Sequence, residues 1–123
     1  MMLGRTTATR VWVAVAPIDM RKGFHGLAAA VEASGLDLYS GHLFVFLSRR
    51  RDRVKVLTWE RGGLALYYKR LEKGRFSRLA AEAGQGMVTL QPVELAMLLD
   101  GVQLDAVRRT PLWEPPIFAA SSR

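Results

Sequence analysis

Three apolar, strand-like segments follow one another at short intervals in the middle of the chain, and they constrain the fold more than any other feature. They are HLFVFL (42–47), RVKVLTWE (53–60) and LALYYKR (64–70). Five residues separate the first two segments, and three residues that include Gly62 and Gly63 separate the last two. Connections this short join neighbouring antiparallel strands. We therefore predict an antiparallel β-meander over these segments.

Weaker signals on either side of the meander complete the predicted fold. VWVAVA (11–16) and MVTL (87–90) are strand-like. Apolar residues at helical spacing predict a helix over 19–34, with Asp19 as its N-cap, and a second helix over 92–100 that begins on a proline. We expect an α+β fold: a single small domain with a mostly antiparallel β-meander sheet and two helices packed against it, on one side.

The length and composition predict one folded domain with two looser ends. A chain of 123 residues, half of them apolar, is long enough to bury a core. We predict a flexible N-terminus over 1–10, the folded domain over 11–105 and a C-terminal tail over 106–123, which holds three of the five prolines. The sequence gives no indication of the oligomeric state.

Several kinds of chemistry and location are disfavoured by composition. The chain has no cysteine, and its two histidines, His25 and His42, do not have the spacing of metal ligands. We therefore expect neither a metal site nor a cofactor. No apolar run approaches the roughly 20 residues of a membrane span, and the apolar segment near the start is too short for a signal peptide. We expect a cytoplasmic protein without membrane contact.

The positive charge of the chain is concentrated in one block. The formal net charge is +7. Residues 49–78 contain 11 Lys or Arg against 3 acidic residues, whereas the rest of the chain contains 7 against 8. A localised basic block is typical of a surface that binds a polyanion such as DNA. The alternative is a solvated basic surface that favours solubility.

The densest part of that block lies in the predicted turn between the first two strands of the meander. The candidate DNA-binding residues there are Arg49, Arg50, Arg51 and Arg53. A hairpin turn has no need of four guanidinium groups, and we expect none of them to support the core. They are placed to contact phosphates; the alternative is that they protect a sheet edge against pairing. Strand alternation places Lys55 and Trp59 on the same face as Arg53, and cations beside an aromatic ring suit nucleic acid.

Two further basic groups are candidates. The first follows the third strand, and its members are Lys69, Arg70, Lys73 and Arg75. A solvated rim explains these residues equally well. The second group is Arg21 and Lys22, which the predicted helix places in its first turn, where an anion such as phosphate can bind. Alternatively, Arg21 pairs with Asp19.

Tyr67 and Tyr68 point to opposite faces of their strand, so only one of them can belong to the core.

The acidic residues do not indicate catalysis. Two-metal DNA cleavage requires clustered carboxylates. Asp19, Asp52, Glu60 and Glu72 are spread along the sequence, mostly among basic residues. Each is explained as a cap, a turn residue or an ion-pair partner. No nucleophile and base stand in a recognisable pattern either, so we expect a protein that is not an enzyme.

Five motifs, in this order and with these intervals, carry a family resemblance: DMRKGFHGLA, GHLFVF, DRVKVLTWE, YYKRLEKGRF and LAMLLDG. They resemble the TnpB accessory protein, the second open reading frame of bacterial insertion sequences of the IS-sixty-six type. The chain departs from the family pattern where Arg51 replaces a common Gly, where Thr58 replaces a common Trp, and at His25. The Arg51 departure places a bulky residue where a turn can require positive φ.

The resemblance implies a role in moving a DNA element, with a separate transposase as the catalyst. The resemblance and the basic block together predict a non-catalytic accessory factor that binds DNA through the basic hairpin and assists its cognate transposase, close to the nucleoid. The alternative is a protein-interaction module whose basic face binds the transposase and never contacts DNA.

Overall fold

A computed structural model describes residues 9–79 and 84–104 of the chain. The secondary structure consists of five strands, two α-helices and a short 3₁₀ turn: β1 (Val11–Ala14), α1 (Phe24–Ala33), the 3₁₀ turn (Leu38–Ser40), β2 (Leu43–Leu47), β3 (Arg53–Glu60), β4 (Gly63–Arg70), β5 (Met87–Leu90) and α2 (Pro92–Leu99). The strands form one sheet in the order β4-β3-β2-β1-β5. The predicted start of the N-terminus and the whole predicted tail lie outside the described residues.

The predicted meander is confirmed. β2 pairs antiparallel with β3, and β3 pairs antiparallel with β4 over its whole length, from Arg53 opposite Arg70 to Glu60 opposite Gly63. β5 is antiparallel to β1. The pairing of β1 with β2, however, is parallel. Parallel neighbours need a long crossover, and the connection that contains α1 provides it. The sheet is therefore mostly antiparallel, as an α+β fold predicts.

The two helices pack on opposite faces of the sheet, so the expectation that both lie on one side is wrong. On one face, which we call the α2 face, Leu95 and Leu98 join a core with Val45 and Val56. On the other, the α1 face, α1 contributes Leu27 and Val31 to a second core; the buried sheet residues of that core are Phe44, Phe46 and Leu57. Every residue of β2 is buried because both of its faces are covered.

The first helix is shorter than the sequence predicts. α1 begins at Phe24, its N-cap is Gly23, and no side chain caps it. The Asp19 carboxylate instead accepts a hydrogen bond from the backbone N–H of Arg21 at 2.9 Å, and the backbone N–H of Lys22 donates to the Asp19 carbonyl at 3.0 Å. Asp forms such local turns readily, and they compete with helix initiation. The predictions that Asp19 caps the helix and that Arg21 and Lys22 form its first turn are therefore wrong.

The second helix agrees closely with its sequence signals. α2 begins on Pro92, as predicted, and ends at Leu99, one residue before the predicted end. The side chains of Gln91 and Glu94 form a capping box with the backbone at the start of the helix. Local signals of this kind mark the start of the helix in the sequence.

Candidate nucleic-acid interface

The predicted arginine-rich turn is an ordered hairpin tip, which we define as residues 48–52. The backbone N–H of Ser48 donates to the carbonyl of Arg53 at 3.0 Å. The Ser48 hydroxyl donates to the Asp52 carboxylate at 3.2 Å and accepts from the backbone N–H of Arg53 at 3.1 Å. Ser48 and Asp52 thus fix the backbone of the tip and hold Arg49 and Arg50 out in solvent. A turn role for Asp52 was among the sequence-based explanations, whereas the role of Ser48 was not predicted, although Ser is a common turn former.

Arg51 supports the fold, which contradicts the expectation that no tip arginine does so. Its guanidinium donates to the carbonyl oxygen of Phe76 at 2.9 Å. Its own carbonyl accepts from the backbone N–H of Phe76 at 2.6 Å. Phe76 is fully buried in the core of the α2 face. Arg51 therefore joins the tip to the core, and its guanidinium is already engaged within the protein.

The tip and the loop between β1 and α1 enclose an open cleft of about 520 Å³. We call residues 15–23 the β1–α1 loop and the cavity the tip cleft. The lining residues are Pro17, Ile18, Asp19, Met20 and Arg21 from the loop, Ser48, Arg49, Arg50 and Asp52 from the tip, and Arg53 from the start of β3. Two basic groups that are about 30 residues apart in the sequence, Arg21 and the tip arginines, thus face one cavity.

The charges in the tip cleft differ in how they are compensated. Arg21 pairs with Asp19 at 2.7 Å, as its alternative reading predicted, although its side chain is 92% exposed. Hydrogen bonds from Arg21 hold the pKa of Asp19 well below its usual range. In the described part of the chain, the side chains of Arg49, Arg50 and Arg53 have no hydrogen bond or ion pair. These three are the cleft cations without a partner in the described residues, whereas Arg21 shares its Nε and Nη2 with Asp19.

Lys55 is not an exposed cation, although the prediction that it binds DNA requires its ammonium to be accessible. Its side chain lies on the α1 face together with Leu57, as strand alternation predicted, but the β1–α1 loop covers it and only 6% of the residue is exposed. Its ammonium donates to the carbonyl oxygens of Met20 at 2.8 Å and Lys22 at 2.7 Å. It also lies over the ring of Tyr68, 4.7 Å from the centroid. Lys55 therefore connects the sheet to the loop.

Trp59 and Lys69 are also separate from the tip cleft. Trp59 lies six residues beyond Arg53 on β3, about 20 Å along the strand, where its ring meets that of Tyr39 edge-on at 4.9 Å. The Lys69 ammonium donates to the carbonyl oxygen of Leu99 at 2.6 Å, at the last residue of α2.

The two neighbouring tyrosines lie on opposite faces as predicted, since Tyr67 packs against the core and Tyr68 is half exposed.

The segment that follows β4 runs beside the tip. The backbone N–H of Leu71 donates to the carbonyl of Asp52 at 2.8 Å. Arg70 lies directly opposite Arg53 in the sheet and pairs with Glu72 at 3.2 Å. Lys73 and Arg75 are exposed. The structure thus places the predicted basic residues after β4 close to the tip, with the exception of Lys69.

Lys22 has a packing role beside its charge. A Cβ atom added at Gly26 would lie 3.1 Å from the Cβ and Cγ atoms of Lys22. The stem of Lys22 thus packs against the first turn of α1 at a position that only glycine fits without adjustment. No such close approach exists at Gly23, where no atom lies within 4 Å of an added Cβ.

A match to a family model shows which protein family this chain belongs to. The TnpB family of IS66 elements, described as IS66 Orf2 like protein, matches residues 9–109. The chain belongs to the IS66 Orf2-like family. The predicted resemblance is confirmed, and membership assigns the protein an accessory role in the transposition of an insertion sequence.

Two relatives of this IS66 Orf2-like protein come from Sinorhizobium fredii (strain NBRC 101917 / NGR234). The uncharacterized protein y4jC is 35% identical over 115 residues, which is 93% of this chain and 97% of the relative. The uncharacterized protein y4hO is 37% identical over 115 residues, with 93% and 96% covered. No solved structure matches the chain.

Two further observations bear on the IS66 Orf2-like protein as a whole. Among residues 9–79 and 84–104, no group of three or more His, Asp or Glu side chains could hold a metal ion. Within the same residues, no helix has the length and apolar character that a membrane crossing requires.

Proposed function

We propose that this IS66 Orf2-like protein assists transposition by binding duplex DNA at the tip cleft, while a separate transposase performs the strand chemistry. The observation that carries the proposal is the set of three guanidinium groups, on Arg49, Arg50 and Arg53, that face the cleft without a partner among the described residues. Phosphate oxygens are the natural acceptors for such groups, because arginine donors match phosphate geometry. Such binding places the protein at the nucleoid in the cytoplasm.

The position of the tip in the sheet favours this reading over protection of an edge. β4 and β5 are the edge strands of the sheet, whereas the tip connects β2 and β3, which are interior strands. Arginines at the tip therefore do not cover an edge that another chain could pair with. Arg70, Lys73 and Arg75, on the segment beside the tip, extend the same basic surface.

The proposal assigns no catalytic role to the carboxylates. Asp19 and Asp52 both line the tip cleft, although the sequence predicted that the acids lie apart. Asp19 is engaged by Arg21 and Asp52 by Ser48, and a pair of carboxylates beside several arginines is a poor cation site. Nicking of supercoiled plasmid in Mg²⁺ or Mn²⁺ that disappears in Asp19→Asn or Asp52→Asn would contradict this part of the proposal.

The test is a salt titration of binding to a fluorescent duplex. Each phosphate that the protein neutralises contributes about −0.9 to the slope of log K against log[salt]. Arg49→Gln with Arg50→Gln should weaken binding on all duplex sequences alike and make the slope shallower by about 1.8, if each arginine meets one phosphate. An unchanged slope would show that the tip arginines do not meet DNA.

A matched control removes the same charge at the far end of the sheet. Arg10 and Arg61 are exposed and lie at the opposite ends of β1 and β3 from the tip. Arg10→Gln with Arg61→Gln should change the slope much less than the tip variant, because distant exposed charges are screened by salt. Equal effects of the two variants would indicate general attraction by net charge and not a site.

The second candidate function is binding of the transposase through the same basic surface without contact to DNA. The concentration of positive charge also suits an acidic protein patch. Purified protein that fails to bind naked duplex at low salt but binds the cognate transposase would favour this candidate, and the tip variant should then weaken the protein complex.

A further inference from the structure

A buried lysine connects the two walls of the tip cleft. Lys55 lies on β3 two residues after Arg53, while the carbonyl oxygens that accept from its ammonium belong to Met20 and Lys22 in the β1–α1 loop. The loop has two further backbone attachments: the N–H of Val15 donates to the carbonyl of Gly86, and the N–H of Ile18 donates to the carbonyl of Leu47, each at 3.0 Å. The hydrogen bonds between Asp19 and Arg21 are local to the loop. Lys55 thus provides the hydrogen bonds that hold the half of the loop that carries Arg21, beside the packing of Met20 against the core of the α1 face.

Burial of this ammonium has a physical requirement that the loop meets. A buried charge is tolerated only when hydrogen bonds or other charges compensate its lost hydration. Two carbonyl oxygens and the ring of Tyr68 compensate Lys55. The ammonium thus holds the loop by its backbone carbonyls, and the side chain of Arg21 is exposed at the cleft.

We propose that Lys55 is a positioning residue for DNA binding: it keeps the β1–α1 loop in place so that a backbone phosphate in the tip cleft is held from two sides. Arg21 forms one side, and Arg49, Arg50 and Arg53 form the other. Lys55 itself does not touch the phosphate. This inference rests on the proposed function, and it adds the loop as the second half of the site.

The first experiment tests the attachment without DNA. Limited trypsin digestion cleaves after Arg21 and Lys22 when the loop opens. Lys55→Met should accelerate cleavage at these two bonds by about tenfold or more, because charge-assisted hydrogen bonds to two carbonyls are lost and proteolysis follows the open population. Lys69→Met is the matched control. It removes a lysine–carbonyl bond on the α2 face and should leave cleavage at Arg21 and Lys22 unchanged.

The second experiment measures duplex binding under conditions where circular dichroism shows each variant folded. Lys55→Met should weaken binding by about three- to tenfold, whereas Lys69→Met should have little effect. If Lys55 acts through the loop, its loss should matter less in an Arg21→Gln background, because mutations that remove the same interaction are not additive. Equal losses in both backgrounds would mean a general structural effect and would overturn the inference.

The outcomes separate the inference from the proposed function. Normal DNA binding by Lys55→Met together with weakened binding by Arg49→Gln/Arg50→Gln overturns the inference and leaves the proposed function in place. Normal binding by the tip variant overturns both. If Lys55→Met does not fold, Arg21→Gln decides, because that residue is exposed. Weaker binding by Arg21→Gln supports a two-sided site, and unchanged binding overturns it.

Discussion

At the scale of single residues, Arg51 has an unfavourable backbone conformation and a stabilising side-chain hydrogen bond. Its φ angle is 61°, in the left-handed region that suits glycine. Holding an ordinary residue there costs on the order of 1 kcal/mol. The guanidinium bond to the carbonyl of Phe76 offsets that cost and fixes the tip against the segment that follows β4. Arg51 therefore occupies a conformation that favours glycine, and the surrounding structure stabilises it there.

Two substitutions at Arg51 separate these effects. Arg51→Ala loses the side-chain bond and keeps the backbone cost, so it should lower the free energy of unfolding by about 1–2 kcal/mol. Arg51→Gly loses the same bond but removes the cost, so it should be about 1 kcal/mol more stable than the alanine variant. Urea denaturation measures both. Alanine and glycine variants of equal stability would contradict this account.

Asp19 lowers the positive charge of the tip cleft and should therefore weaken its binding to DNA. Its carboxylate faces the cleft and neutralises Arg21. Asp19→Asn should tighten duplex binding by a factor of about two to five, as expected for one exposed ion pair, and steepen the salt slope by up to about 0.9. An ordinary aspartate is already ionised at pH 5, and the lowered pKa keeps Asp19 ionised at still lower pH. Lowering the pH from 7 to 5 should therefore not reproduce the effect of the mutation.

A control for the Asp19 variant is available in the same chain. Asp37 accepts a hydrogen bond from the backbone N–H of Tyr39 and precedes the 3₁₀ turn, which leads to the end of β2 remote from the tip. Asp37→Asn removes one negative charge and keeps an oxygen acceptor. Tighter binding by Asp37→Asn to the same extent would show that only the net charge matters.

At the scale of elements, α2 depends on a contact from the sheet at its end. The last carbonyls of a helix have no partner within the helix and carry partial negative charge. The Lys69 ammonium on β4 reaches the carbonyl of Leu99, so it satisfies one of them and holds the helix to the sheet. A lysine in the basic block thus forms a contact within the fold.

The corresponding prediction concerns stability. Lys69→Met should lower the free energy of unfolding by about 1–2 kcal/mol, because a charge-assisted hydrogen bond at a helix end is lost. Lys73→Met removes the same charge from an exposed residue beside the tip and should change stability by less than about 0.5 kcal/mol. Chemical denaturation of both variants provides the comparison. Equal effects would mean that the bond to α2 contributes nothing measurable.

At the scale of the whole molecule, one sheet contributes side chains to two hydrophobic cores. Strand β2 contributes Phe44 and Phe46 to the core of the α1 face and Val45 to the core of the α2 face. Neither core can lose its order without disturbing strands that the other also uses. The two cores should therefore unfold together, as small single domains usually do.

Two core substitutions test this coupling. Leu27→Ala on the α1 face and Leu98→Ala on the α2 face each remove a fully buried side chain and should each cost about 2–5 kcal/mol. Far-UV circular dichroism and the fluorescence of the tryptophans should report one coincident transition for each variant. Val93→Ala, at a position 65% exposed on α2, is the control and should be nearly neutral. Separate transitions for the two probes would contradict a single cooperative unit.

The sequence by itself determined the elements whose signals are local. Alternating strands joined by short turns predicted the meander, and Pro92 marked the start of α2, because these depend on backbone preferences within a few residues. Alternation also assigned Arg53, Lys55 and Leu57 to one face of β3. The five ordered motifs were sufficient to predict the family, which the family match confirms.

The tertiary structure alone decided which faces are covered and which charges are free. The parallel pairing of β1 with β2 and the placement of the helices on opposite faces depend on contacts between distant parts of the chain. Lys55 was predicted to be exposed because no local signal reveals that its ammonium will donate hydrogen bonds to carbonyls 33 and 35 residues away. The tip cleft likewise exists only when the β1–α1 loop meets the hairpin tip. The type of a residue determines its charge. The residues around it in the folded protein decide whether that charge is compensated within the protein or is free to bind a ligand.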